Sequence, residues 1–440
     1  MPTGAIPLVP IERRDPERYR LFALSSLAFA VLGGFALAIH IPLGRILEWA
    51  SEGRRPDMVQ VHGQVQLLAF AGLFVMGMAM RLMPRFASTS LRLEALVLPV
   101  WGLFVASLGA RLLVSLWLPS EPRTIVHLAT QFGILLGSAG FFLIVYATLL
   151  VDTRRLEATA WFFLAGAAFL VLQAGAATFV AIREAPSDER TLPYLPNTAV
   201  LFLQLGFVMS FIGGVATRAI PTMSGWRRPE PGAKRAAVAL SASVLLAALP
   251  LLWLEYEGYS TGVARLADLG LIAFGGSLVA IAGLTGALWP EEQRLRPASQ
   301  PHMRLVKAAL IWMLLAGGYA VYAGAAAFVE GSLPHFDRLD ALRHALGAGV
   351  IMTLIFGMAL MVLPEFAGER QRPNRQRQLS SALLLLALSA AALRVLPSLF
   401  GTRIGPDERN FMLLAAGIAG EAGVLLFTVA FARLVFRRRA

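Results

Sequence analysis

Six histidines carry most of the chemistry this 440-residue chain has to offer: His40, His62, His127, His302, His335 and His344. Cysteine is absent, which excludes disulfides, thiolate metal sites and iron–sulfur ligation. Two of the histidines stand inside long apolar runs. His62 opens "VHGQVQLLAFAGLFVMGMAMRLMPRF" and His344 opens "HALGAGVIMTLIFGMALMVLPEF". His62 precedes Pro84 by 22 residues and His344 precedes Pro364 by 20, so the two occupy closely matching places. An imidazole in a hydrocarbon setting is costly unless it has a partner or a role. Neutral imidazole is also a common axial ligand of haem iron. Two helices that each offer one histidine at similar depth can clamp a single porphyrin, with His62 and His344 as metal ligands. Gly347, one turn below His344, leaves room for a flat ring, and Ala69 and Gly72 are expected to do the same below His62. The plainer alternative is that each ring sits among lipid headgroups, and this is the simpler account of His40, His127 and His335. His302 is expected to be a solvated loop residue.

Other polar residues fall within apolar runs. Arg111, in "GARLLVSLWLP", and Arg394, in "AALRVLPSLF", share a context near the ends of their segments. Either they snorkel to the headgroups or they pair with the propionates of a cofactor held by the histidines. Arg81 and Arg218 each stand three residues before a proline and are expected to snorkel towards the opposite face. Glu421 lies alone in its segment, either protonated and hydrogen-bonded or part of a proton path. Met76, Met78, Met80 and Met83 resemble a metal stripe, but packing explains them better. No phosphate-binding glycine loop, nucleophile triad or nucleic-acid motif is present.

The elements that must position these residues follow from composition. Hydrophobic residues make up 57% of the chain and charged residues only 15%, which places it among integral membrane proteins embedded in a lipid bilayer. A hydrocarbon core of roughly 30 Å needs about 20 apolar helical residues. Twelve stretches qualify: 20–40, 60–84, 91–118, 124–150, 158–183, 194–222, 235–255, 261–289, 303–330, 341–364, 378–400 and 408–436. The predicted fold is therefore all-α and polytopic, a single membrane domain covering 1–440, with an uncleaved first helix. The formal charge of +12 is distributed as a topology signal and does not call for a nucleic-acid partner. The larger share of the Arg and Lys residues falls on one side, which predicts that both termini are cytoplasmic. Five of the six histidines then sit at the outer boundary.

A repeat is visible in three of the runs. They end Gly77-Met-Ala-Met-Arg-Leu-Met-Pro84, Gly214-Val-Ala-Thr-Arg-Ala-Ile-Pro221 and Gly357-Met-Ala-Leu-Met-Val-Leu-Pro364. These are the second, sixth and tenth spans, which divides the twelve into three pseudo-repeats of four, 20–150, 158–289 and 303–436. Two sets of six, as in a major-facilitator transporter, do not give this spacing. The second repeat has Ala199 to Leu201 where the others have histidine. The prolines are expected to end their helices.

Twelve helices in three pseudo-repeats, with histidines on helices two and ten, resemble subunit I of the haem–copper oxidases and nitric-oxide reductases. That resemblance implies a low-spin haem between the two histidines. A closer resemblance is to the NnrS family of multi-span haem proteins. Its second-helix motif, roughly H-A-H-E-M-L-F-G, is similar to His62-Gly63-Gln64-Val65-Gln66-Leu67-Leu68. Its later motif, H-A-L-T-V-G-A, is similar to His344-Ala345-Leu346-Gly347-Ala348-Gly349-Val350. The implied protein carries haem b in a bacterial inner membrane and serves nitric-oxide stress or electron transfer, with a diatomic ligand or redox partner at the outer face. The departures are specific. Gln64 and Val65 replace a His and a Glu of the motif, and Phe366-Ala367-Gly368-Glu369-Arg370 replaces G-H-T-G-R. Helices six and seven, which hold the copper ligands in the oxidases, contain no histidine. This argues against oxygen or nitric-oxide reduction at a binuclear centre. A second metal, copper included, would have only His40, His127 or His335 to draw on. Two other classes stay open: a transporter or channel that keeps the fold without haem, and an assembly factor for a respiratory complex.

Overall fold

Each apolar run folds as a helix because hydrocarbon leaves no water for the backbone, so every N–H and C=O must be satisfied within the segment. The computed structural model describes residues 18–49, 55–117, 120–150, 157–184, 194–288, 300–367 and 373–436. Twelve helices among them are long and apolar enough to cross a membrane. They are α1 (Arg18–Ile46), α2 (Asp57–Phe86), α3 (Glu94–Ser115), α4 (Ile125–Leu149), α5 (Ala158–Arg183) and α6 (Tyr194–Met223), then α7 (Glu230–Glu257), α8 (Thr261–Leu284), α9 (Gln300–Glu330), α10 (Phe336–Val362), α11 (Asn374–Phe400) and α12 (Pro406–Arg433). No strand occurs among the described residues. The chain is an all-α polytopic membrane protein. Arg13, Arg14, Arg370, Arg372 and Arg437 to Arg439, which bear on orientation, lie outside the described residues.

The second helix of each group of four is the buried one. In α2, α6 and α10 the most apolar window is 78%, 89% and 78% buried, against 33–56% in the other nine. Three helices thus form the core and the rest wrap them. The glycine that opens each repeated octapeptide explains part of this. A Cβ on Gly77 would meet Tyr19 and Phe22 of α1, one on Gly214 would meet Phe162 and Phe163 of α5, and one on Gly357 would meet Leu305 and Val306 of α9. In every case the central helix leans, through its glycine, on the helix that precedes it by one. Small residues at such contacts let helix backbones approach closely in a medium that supplies no hydrophobic drive between them.

The prolines do not end the helices. Pro84 and Pro221 lie inside helices that run on to Phe86 and Ser224, and Pro364 inside one that continues to Ala367. Proline removes one ladder donor and clashes with the carbonyl four residues back, but a membrane helix tolerates it where the freed groups find local partners. At α2 the chain then caps itself, with the Ala87 N–H donating to the Met83 carbonyl.

Candidate functional site

Two of the three core helices depart from α geometry at the same place. Over Val65–Gly72 in α2 and Ala345–Met352 in α10 the winding widens to π-helical, eight residues in each case. Both segments open twelve residues before the repeat glycine of their helix, Gly77 and Gly357. Their Cα traces come within 8 Å of each other. In α6 no such segment interrupts the helix from Tyr194 to Ser224. A third π segment, Ala30–Phe35, lies in α1 and packs against that of α2. Wide turns of this kind are rare and concentrate at functional sites, because they loosen the backbone ladder and re-aim side chains.

His62 stands just before the first wide turn and His344 just before the second. The Nδ1 of His62 is 2.8 Å from the carbonyl oxygen of Gly34, in the π segment of α1. The Nδ1 of His344 is 2.8 Å from the carbonyl oxygen of Asp340, one turn back on its own helix. A carbonyl oxygen only accepts, so each Nδ1 carries the proton and donates it. Each Nε2 then keeps its lone pair, the arrangement that a metal-ligating imidazole uses. A Cβ on Gly34 would lie 2.8 Å from the Gln66 amide, which would have to move aside. His344, Arg394 and Arg343 are all within electrostatic range of His62. His344 keeps 19% of its side-chain surface although its helix is a core helix, so it borders open space. A Cβ on Gly347 or on Gly63 would meet no atom within 4 Å. The room expected below His62 is not at Gly72, which packs on Phe207 and the Leu67 carbonyl, nor at Ala69, which is fully buried.

The two arginines are tied to carboxylates that sequence reading did not single out. Arg111 of α3 donates to Asp57 of α2 at 2.7 Å, with the two side chains only 3% and 5% exposed. Arg394 of α11 donates to both oxygens of Asp340 in α10, at 2.8 and 3.1 Å. Ser398 adds a third bond to Asp340 at 2.6 Å, and Arg343 lies 3.8 Å away. The His344 Nδ1 is also 3.4 Å from an Asp340 carboxylate oxygen. In both pairs the acid and the arginine are separated by 54 residues. The sequence signal was therefore present: an aspartate four or five residues before each core histidine, answered by an arginine 54 residues on. Snorkelling does not describe Arg111, which is buried. A propionate near either arginine would share the guanidinium with an aspartate already bound to it.

The remaining histidines are dispersed. His40 packs on Trp49, with ring centroids 5.3 Å apart. His335 is 71% exposed, with Nε2 3.9 Å from Glu330. His127 has a buried Nδ1 without a hydrogen-bond partner. His302 is not a solvated loop residue: it is fully buried at the start of α9, 3.1 Å from the Gln376 amide oxygen of α11. Ser380 ties the same two helices by donating to the Pro301 carbonyl. Among the described residues no three His, Asp or Glu side chains converge as a metal cage. Met76, Met80 and Met83 are buried in the core. Arg81 lies over the Tyr19 ring at 5.8 Å, and Arg218 pairs with Glu157 and covers Phe86. One Glu421 oxygen is buried without a partner, and so are both oxygens of Asp268 in α8, a second membrane carboxyl that sequence reading passed over.

The donor set fits a porphyrin iron. Two imidazoles engage a carbonyl through Nδ1, which leaves Nε2 as the nitrogen for a metal; Gly63 and Gly347 beside them carry no side chain, and Arg343 and Arg394 lie within electrostatic range of His62. No family model and no curated protein matches the chain.

Proposed function

We propose that the chain is a b-type haem protein of the membrane, in which His62 and His344 would hold the haem iron. The observation that supports this most is the pair of Nδ1–carbonyl bonds. They set both rings in one tautomer with the Nε2 lone pair free of that bond, at the wide turns of two core helices. When bound, such a group would supply iron that exchanges single electrons. The protein's part is to hold the rings. Gly34 and Asp340 orient them through the backbone, Gly347 and Gly63 keep a slot free of side chains, and Arg343 and Arg394 supply positive charge beside it.

On this reading the protein is a member of the NnrS type, within the wider haem–copper oxidase-like group, and the site faces the outside of a bacterial inner membrane with both termini cytoplasmic. Its role is electron transfer or the handling of nitric oxide during nitrosative stress. Sustained turnover of oxygen or nitric oxide is not expected, because α6 and α7 carry no histidine for a copper centre. The test is an absorption spectrum of protein purified from haem-supplied cells. A sharp Soret band with resolved α and β bands on reduction is expected, lost in His62→Ala and in His344→Ala and kept in His40→Ala. Haem that survives intact in both core variants would refute the pairing and shift attention to His127. A protein that never acquires haem would leave the transporter and assembly readings.

A further inference from the structure

Between α2, α6 and α10, at the proline-bearing ends of the three helices, lies a cavity of about 90 Å³. Its lining is apolar throughout and comes from those three helices alone. The positions are the same in each. Met78, Val215 and Met358 follow the repeat glycines by one residue, and Ala79, Ala216 and Ala359 by two, and all six line the space. The glycine sends each core helix outward onto its neighbour, while the next two residues turn to the common axis. The hole is thus repeated in sequence three times over and is not a local packing fault. Alanine at each of the three equivalent positions keeps it open.

A water molecule needs two to four polar partners, and this almost wholly apolar lining offers few, so water is held there poorly. A dry apolar space attracts small uncharged molecules, as cavities of comparable size in soluble proteins take up xenon or benzene. The volume is smaller than that of an engineered apolar cavity of about 150 Å³ that takes up benzene, far too small for a macrocycle. We propose that this axial cavity is a binding site for an uncharged apolar molecule of diatomic size, the chemistry shared by dioxygen, dinitrogen and nitric oxide. The site contains neither His62 nor His344, so the proposal stands independently of haem.

Xenon is the probe. Crystals of the full chain pressurised with xenon should show one peak on the axis between Ala79, Ala216 and Ala359. Ala359→Leu and, on a different helix, Ala79→Leu should each remove it while leaving the thermal midpoint equal or higher. If one variant fails to fold, the other carries the test. Failure of both would itself overturn the proposal, since a leucine that cannot be accommodated means there is no usable space. The proposal also falls if pressurised wild-type crystals show no peak, if an acyl chain or water fills the cavity, or if the peak persists undiminished in both filled variants. None of these outcomes touches the haem spectrum, so the two readings fail separately.

Discussion

Replacing Asp57 with leucine tests whether the buried pair with Arg111 holds α2 against α3. The two side chains are 3% and 5% exposed and meet at 2.7 Å, so solvent screening does little to weaken the interaction. Removing one partner of such a pair leaves an uncompensated charge in a low-dielectric interior and costs about 3–5 kcal/mol. Removing both at once, as Asp57→Leu with Arg111→Met, trades the pair for apolar packing and should cost far less than the sum, since replacing a whole buried pair is often neutral or stabilising. The cycle therefore predicts a large coupling, most of either single loss being recovered in the double variant. The assay is equilibrium unfolding in mixtures of mild and denaturing detergent, followed by helix content. Asp340 with Arg394 should behave in the same sense, though less completely. Arg394 is 25% exposed, and Asp340 also binds Ser398 and lies 3.4 Å from His344. If each Asp57 and Arg111 variant costs under about 1 kcal/mol, as an exposed pair would, or if the double variant costs the full sum, the pair is not what fixes α2.

Glycine substitutions near the histidines should divide sharply. Gly34→Leu must push the Gln66 amide aside and crowds the carbonyl that receives the His62 proton, so it should weaken haem uptake and lower the thermal midpoint. Gly347→Leu meets open space, so the apoprotein should be at least as stable as wild type while haem retention is lost; unchanged retention would mean the slot below His344 is not used. Deleting Ala69 should reset the wide turn of α2 to α geometry. A one-residue change rotates everything before it by about 100°, carrying His62 away from Gly34 and Asp57 away from Arg111. Haem uptake and the Asp57–Arg111 coupling should vanish together, whereas loss of one alone would show that the turn does not set both.

The spans were legible because a bilayer admits little besides an apolar helix of fixed minimum length. All twelve expected stretches overlap the twelve helices, and α5 is matched to the residue at both ends. The repeated glycines Gly77, Gly214 and Gly357 were legible, although their function in helix contact was not. What sequence pattern could not give was winding. A π segment needs only one extra residue in a turn, and nothing in "VQLLAFAG" or "ALGAGVIM" distinguishes it from ordinary membrane helix. The prolines misled for a related reason: a bend is stabilised or not by neighbouring helices, which composition does not reveal. His302 was misplaced because its burial is supplied by Gln376, 74 residues later, in a helix that only the fold brings alongside.

The plain member of the triplet makes the strongest case that these features form one device. α6 shares with α2 and α10 the central position, the repeat glycine, the terminal proline and the alanine on the axis. It lacks the histidine, and with it everything that accompanies the histidine in the other two. The stretch from Tyr194 to Leu201 offers no acidic residue one turn earlier, the helix has no π segment, and the residues about 54 positions on include no arginine. Four features drop out together in one repeat and occur together in two. If the aspartate–arginine pairs served only to fasten the second helix to the third, α6 would need one as much as its counterparts do, since it is the most buried of the three at 89%. Among the described residues it has no such pair to α7; its Arg218 pairs instead with Glu157, beside α5. The pairs are therefore better understood as fixing the rotation of α2 and α10 about their own axes, at the one place where a wide turn would otherwise leave the aim of an imidazole undetermined.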